Sequence, residues 1–192
     1  MNTVELKNLF ASGQYDELLM DIYLDEESLE YQKKRFIKAI EKFETLYGEN
    51  EVEIYSAPGR SESSGNHTDH QHGEVLAASI NLDAIAIVKK NDKIRVVSDG
   101  YDMLTISLED ITKKKEEEGT TTALIKGVLA GLKERGNKIG GFDAYITSDV
   151  LIGAGLSSSA AFETVIGTIV SGLYNDMKVS PVDIAIIGQD AL

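Results

Sequence analysis

Between residues 27 and 50, ESLEYQKKRFIKAIEKFETLYGEN, the apolar residues Leu29, Phe36, Ile37, Ile40, Phe43 and Leu46 recur at three- and four-residue spacing. That is the period of one face of an α-helix, and residues 1–47 as a whole are predicted to be helical, with Gly48 as the stop signal. From Glu51 the period drops to two, Val52 and Ile54 alternating with Glu51, Glu53 and Tyr55. This predicts a strand, which Pro58 and Gly59 should end. Further strands are predicted at about 82–89, 93–98 and 103–108, with Asn91-Asp92 turning the chain between the first two. The run DITKKKEEEG at 110–119 reads as a solvated loop or frayed helix. A helix is predicted over 120–135, capped by a threonine and closed by Gly136. From Gly141 to Asp176 the pattern is strand, glycine loop, long helix. A last helix starts near Ser180-Pro181, with serine at the cap and proline in the first turn.

This mixture gives an α+β domain, and composition narrows what it can do. The 192 residues contain no cysteine, which removes disulfides, thiolate metal sites and cysteine nucleophiles together. The net charge of −13 argues against a nucleic-acid partner, because such binding rests on neutralising phosphates with Lys and Arg. The N-terminus lacks a basic segment followed by an apolar core, so no signal peptide is expected. No apolar run is long enough to span a membrane, VLAASINLDAIAIV being interrupted by Ser79, Asn81 and Asp83. A cytoplasmic protein is the expectation.

The segment LIGAGLSSSAAFE (151–163) carries the first candidate chemistry. Gly153 and Gly155 permit positive φ and close backbone approach. Ser157, Ser158 and Ser159 then stand where a helix begins, and helix N-termini present unpaired N–H groups together with a partial positive charge. The combination suits an anion, and a hydroxyl beside it suits magnesium. Serines that only cap the helix would explain one of the three residues, not all of them. The segment is neither the common phosphate loop G-x-x-x-x-G-K-S/T nor a G-x-S-x-G nucleophile elbow.

The second candidate is GNHTDHQHG (65–73), which holds every histidine of the chain, His67, His70 and His72, with Asp69 among them. A metal site is one reading of these residues; a loop that reads ligand hydroxyls is another. Taken together, APGRSESSGNHTDHQHG (57–73) and GAGLSSSAA (153–161) resemble the first and second signature motifs of the GHMP small-molecule kinases, and within them the galactokinases. Ala57, Pro58, Gly59, Arg60, Gly65, His67, Thr68, Asp69 and Gly73 keep the register of the family motif A-P-G-R-V-N-L-I-G-E-H-T-D-Y-N-G-G.

The resemblance implies a mixed β-sheet with packed helices, the GHMP kinase N-terminal domain, over 51–192 behind a helical segment at 1–50. It implies phosphorylation of the anomeric hydroxyl of galactose by ATP with Mg2+, in a protein monomeric in its complete form. Asn66, His67 and Asp69 would bind the sugar, and Arg60 would be catalytic. Gly153, Gly155, Leu156, Ser157, Ser158 and Ser159 would line the triphosphate loop, Ser159 also as a metal ligand. The family's catalytic aspartate and C-terminal domain have no counterpart up to Leu192, so the chain alone is expected to be inactive.

Several positions depart from the family pattern. Asn66 stands for a glutamate, SESS (61–64) for V-N-L-I, and His70, Gln71 and His72 for tyrosine, asparagine and glycine. The amide at Asn66 both donates and accepts, where a carboxylate only accepts. It keeps open another acceptor, such as an amino sugar. A non-catalytic sugar sensor on the same fold is the remaining alternative.

Overall fold

The computed structural model describes residues 1–64, 74, 76–112 and 114–191. The predicted N-terminal helical region is three helices, α1 (Thr3–Ala11), α2 (Asp16–Tyr23) and α3 (Leu29–Tyr47). Asn2 caps the first, its Oδ1 accepting from the Val4 N–H at 2.8 Å. Gly48, at φ 78°, stops the third. The face α3 buries is Gln32, Arg35, Phe36, Ala39, Ile40 and Phe43. Leu46, predicted to share the apolar face, is exposed, because after Phe43 the buried face passes to Tyr47, which packs against the same core one position on.

Five strands follow: β1 (Glu53–Ser64), β2 (Leu76–Asn91), β3 (Ile94–Ser98), β4 (Leu104–Ile106) and β5 (Gly141–Ser148). They form one mixed sheet in the order β1-β2-β5-β3-β4. Only the β3–β5 pair is parallel. One expectation fails here and one holds. Pro58 and Gly59 do not end β1, because β1 is an edge strand, where a missing N–H costs no ladder bond. A register shift between Pro58 and Arg60 lets pairing resume at Arg60–Ser79. The turn at Asn91-Asp92 does lie between β2 and β3, but these do not form a hairpin; β5 inserts between them.

Helices α4 (Thr121–Glu134), α5 (Ser158–Asn175) and α6 (Pro181–Ala191) complete the domain. Thr120 caps α4 through the Ala123 N–H at 3.2 Å. The charged run before it holds a short 3-10 turn at Lys115–Glu117. It is less free than expected: both Glu117 carboxylate oxygens accept from the buried Lys126 ammonium at 2.8 Å.

Alternate side chains of the central strands enter two separate cores. Ala84, Ala86 and Val88 of β2 join Phe142, Ala144 and Ile146 of β5 against α4–α6. Ile85 and Ile87 join Tyr145 beneath α1–α3, with Ile40 and Phe43 wholly buried. A strand buried on both faces explains why the sequence around residues 84–88 is a continuous apolar run. At roughly 1.5–3 kcal/mol per fully buried large apolar side chain, the two layers hold the sheet rigid. β2 changes character beyond Leu82: its residues from Leu76 to Asn81 are mostly exposed. There, among the described residues, it pairs with β1 alone, so the two strands extend past the rest of the sheet as an arm. The arm leads to residues 65–73.

Candidate active site

The two sequence motifs meet in the backbone. The Arg60 N–H donates to the Leu156 carbonyl at 3.1 Å. Gly59 permits this approach: a Cβ there would lie 2.9 Å from the Leu156 carbonyl oxygen and 2.9 Å from Val150 Cγ1. These are distances no real Cβ occupies beside a backbone atom, so the glycine is a packing requirement, not a turn signal. The Arg60 side chain is about half exposed and pairs with the Glu62 carboxylate. Glu62 belongs to the polar SESS stretch and stands where the family pattern has asparagine.

Beyond Val150 the loop is exposed through Gly155. Gly153 and Gly155 take φ of 76° and 74°, the left-handed region that favours glycine. Ser157 takes φ 60° as well and precedes α5 without giving it a side-chain cap. A cap was the ordinary explanation for a serine here, and the geometry removes it. A non-glycine residue held in this conformation costs on the order of 1 kcal/mol, a strain associated with binding loops. The first turn of α5 contains no acidic residue to oppose its partial positive charge. Ser157 and Ser158 are half-buried and Ser159 is exposed. For magnesium the donor set fits: a single hydroxyl serves as ligand when phosphate oxygens and water fill the remaining positions. Among the described residues no group of three or more His, Asp or Glu could hold a metal ion without such oxygens. Asn66, His67 and Asp69, with His70 and His72, lie outside the described residues.

Sequence reasoning missed the buried polar cluster behind this contact. Asp83, on β2 opposite Pro58, is 3% exposed and Arg35 of α3 is 7% exposed. Arg35 Nη1 donates to Asp83 Oδ1 at 2.7 Å and lies 3.2 Å from Asp149 Oδ2. Its Nη2 donates to the Asp83 carbonyl at 2.8 Å. The Tyr23 hydroxyl and the Ser56 hydroxyl both donate to Asp83 Oδ2, at 3.0 and 2.5 Å. Tyr31 donates to Asp149 Oδ1 at 2.8 Å. Burial works against the Arg35 charge, but Asp83 and Asp149 outweigh it and hold the guanidinium above its ordinary pKa. Burial, then the charge of Asp83, pushes the Tyr23 phenol far up, so it stays a donor. The one available signal was Asp83 and Arg35 interrupting apolar stripes, which periodicity discards as noise.

Glu163, in the second turn of α5, was also missed. It is 2% exposed, its Oε1 lacks a partner among the described residues, and burial raises its pKa to about 7. It packs beside Gly188 of α6.

Residues 41–90 match the galactokinase galactose-binding signature, and residues 123–192 match the GHMP kinases N terminal domain. The chain is 38% identical over 136 residues to the galactokinase of Pyrococcus furiosus, covering 70% of this chain and 37% of that one. It is 32% identical over 162 residues to the galactokinase of Clostridium tetani, covering 83% and 39%. The chain therefore spans about two-fifths of the length of the curated relatives it matches. Among solved structures it is similar to Lactococcus lactis galactokinase complexed with galactose, with TM-score 0.71 and 28% identity, over 79% of this chain and 40% of that one. Methanococcus jannaschii mevalonate kinase shares the fold at TM-score 0.62 and 22% identity, over 74% and 46%. With the galactose-binding signature leading into a mixed sheet and a glycine-serine loop that touches it, the chain belongs to the galactokinases of the GHMP kinase family and carries their N-terminal domain.

Proposed function

We propose that this chain supplies the sugar-binding motif and the phosphate loop of an ATP-dependent kinase acting on the anomeric hydroxyl of galactose. The observation that carries the reading is the Arg60–Leu156 backbone bond across a glycine with no room for a side chain. It fixes the arginine's strand against the loop that would hold the transferred phosphate. In this reading the free N–H groups of α5 and the hydroxyls of Ser157, Ser158 and Ser159 take the triphosphate. Gly153, Gly155 and Leu156 supply the backbone around it. Arg60 stabilises charge on the transferred group, and Asn66, His67 and Asp69 fix the sugar hydroxyls. Catalysis is then positioning and charge stabilisation, the ordinary basis of phosphoryl transfer. Mg2+, when bound at Ser159, supplies charge neutralisation between phosphates. The protein would act as a cytoplasmic monomer on a free sugar; among the described residues no helix is long and apolar enough to cross a membrane.

A panel of hexoses and amino sugars tested for sugar-dependent ADP release by the intact gene product decides the matter. Galactose is expected to give the highest kcat/KM. Preference for an amino sugar would favour the second reading, which Asn66 supports. No release with any sugar would overturn the kinase assignment and leave the sensor reading.

A further inference from the structure

The buried cluster sits at a fork in the sheet. The β2–β5 ladder reaches its last pair at Ala84–Ser148, one residue short of Asp83 and Asp149. Past that point β2 continues only with β1, in the arm that carries Arg60, while the chain beyond β5 departs into the glycine-serine loop. Arg35 closes the fork from the α3 side. It holds the side chain and the carbonyl of Asp83, and lies 3.4 Å from the Thr147 carbonyl and 3.2 Å from Asp149. The Asp149 N–H donates to the same Asp83 carbonyl at 3.0 Å. Asp83 stands opposite Pro58, next to Gly59. Asp149 is followed by Val150, the residue a Cβ on Gly59 would strike.

We infer that Arg35 is a positioning residue that sets the register between the arm bearing Arg60 and the loop bearing Ser157–Ser159. Its role in catalysis rests on the kinase reading; its role in joining the two segments does not. A planar guanidinium with several fixed donors reaches two carboxylates and two carbonyls at once. A lysine in its place is a point charge that serves one of them at a time. Misplacement of reacting groups by about 1 Å costs on the order of a hundredfold in rate, so a small loss of register is legible in turnover.

The test compares Arg35→Lys, Arg35→Met and Asp149→Asn in the intact gene product, by amide hydrogen exchange and by steady-state kinetics. Asp149→Asn keeps an acceptor for Tyr31 and leaves the Asp83–Arg35 pair, so it folds even if Arg35→Met does not. Exchange at Gly59–Arg60 and across Val150–Leu156 is expected to quicken about tenfold in Arg35→Lys and Asp149→Asn. Exchange within α4, on the opposite face, should be unchanged. The kcat should fall by about tenfold in both variants, because the register places the reacting groups. Unchanged exchange in both segments, or a uniform increase that includes α4, would overturn the inference, as would quickening in one segment alone. Absence of sugar-dependent ADP release from the unsubstituted protein would count against the kinase reading only, since the exchange pattern is read without turnover.

Discussion

The two ends of β2 live in opposite environments. Toward Asn91 the strand is buried on both faces up to Val88, and its one acid, Asp83, is saturated by Arg35, Tyr23 and Ser56. Toward Leu76 it is exposed and paired on one side only. The glycine-serine loop resembles the exposed end, with an uncapped helix start and left-handed backbone at Gly153, Gly155 and Ser157. Polar groups in the inner region spend their hydrogen bonds on fixed partners, whereas on the reading proposed above those of the loop would be kept for a ligand, and the first region would aim the second.

Removing a partner from the inner region should produce the largest effect. Asp83→Ala leaves the buried Arg35 guanidinium with Asp149 as its one carboxylate among the described residues and leaves the Tyr23 and Ser56 hydroxyls without their acceptor. Breaking a buried pair from one side costs about 3–5 kcal/mol. Urea denaturation should show that loss; a change below 1 kcal/mol would mean the cluster is better hydrated than its burial implies.

Glu163 tests the comparison from the core beneath α4–α6, where a buried acid lacks the partners Asp83 has among the described residues. Its native pKa of about 7 lies above the ordinary 4.5. Between those values the unfolded carboxyl has lost its proton and the native one retains it, so stability falls as pH rises from about 4.5 to 7 and then levels. A shift of this size corresponds to at most about 3 kcal/mol. Glu163→Gln should flatten that part of the pH–stability profile. An identical slope in the variant would assign the effect to another group.

What the sequence disclosed follows the same division. The strands, the α4 cap at Thr120, the stop at Gly48 and the glycine loop between β5 and α5 were legible because each is a local rule, a period or a cap or a turn. The family motifs disclosed the contact partners in outline. The insertion of β5 between β2 and β3 was not legible, since pairing over fifty residues leaves no local trace. The continuation of β1 through Pro58 was hidden for a related reason: proline ends a central strand but not an edge, and edge position is a property of the sheet. Arg35, Asp83 and Glu163 were hidden because a polar residue in an apolar stripe reads as solvent-facing until its partners, on other elements, are in view.

Gly59→Ala probes the junction of the two regions. The added carbon would meet the Leu156 carbonyl oxygen and Val150 at 2.9 Å. Overpacking of this kind costs about 1–3 kcal/mol, less than the loss of Asp83 but placed directly on the motif contact. Turnover should therefore fall by tenfold or more while unfolding shifts modestly. A variant that loses stability and keeps its kcat/KM would show that the strand and the loop need not touch.

The smallest effect on stability is expected at Ser157, and it separates the regions most cleanly. Its left-handed backbone costs on the order of 1 kcal/mol, which glycine avoids, although glycine also gains freedom in the unfolded chain. The two effects nearly cancel, so Ser157→Gly should change unfolding by less than about 1 kcal/mol. The hydroxyl it removes gives α5 no cap, so the helix loses no capping bond with it. If the outer region is kept for a ligand, the KM for ATP should rise in this variant while thermal stability stays level. Parallel loss of stability and ATP affinity would mean that Ser157 belongs with the saturated inner groups, and that the division drawn along β2 stops short of the loop.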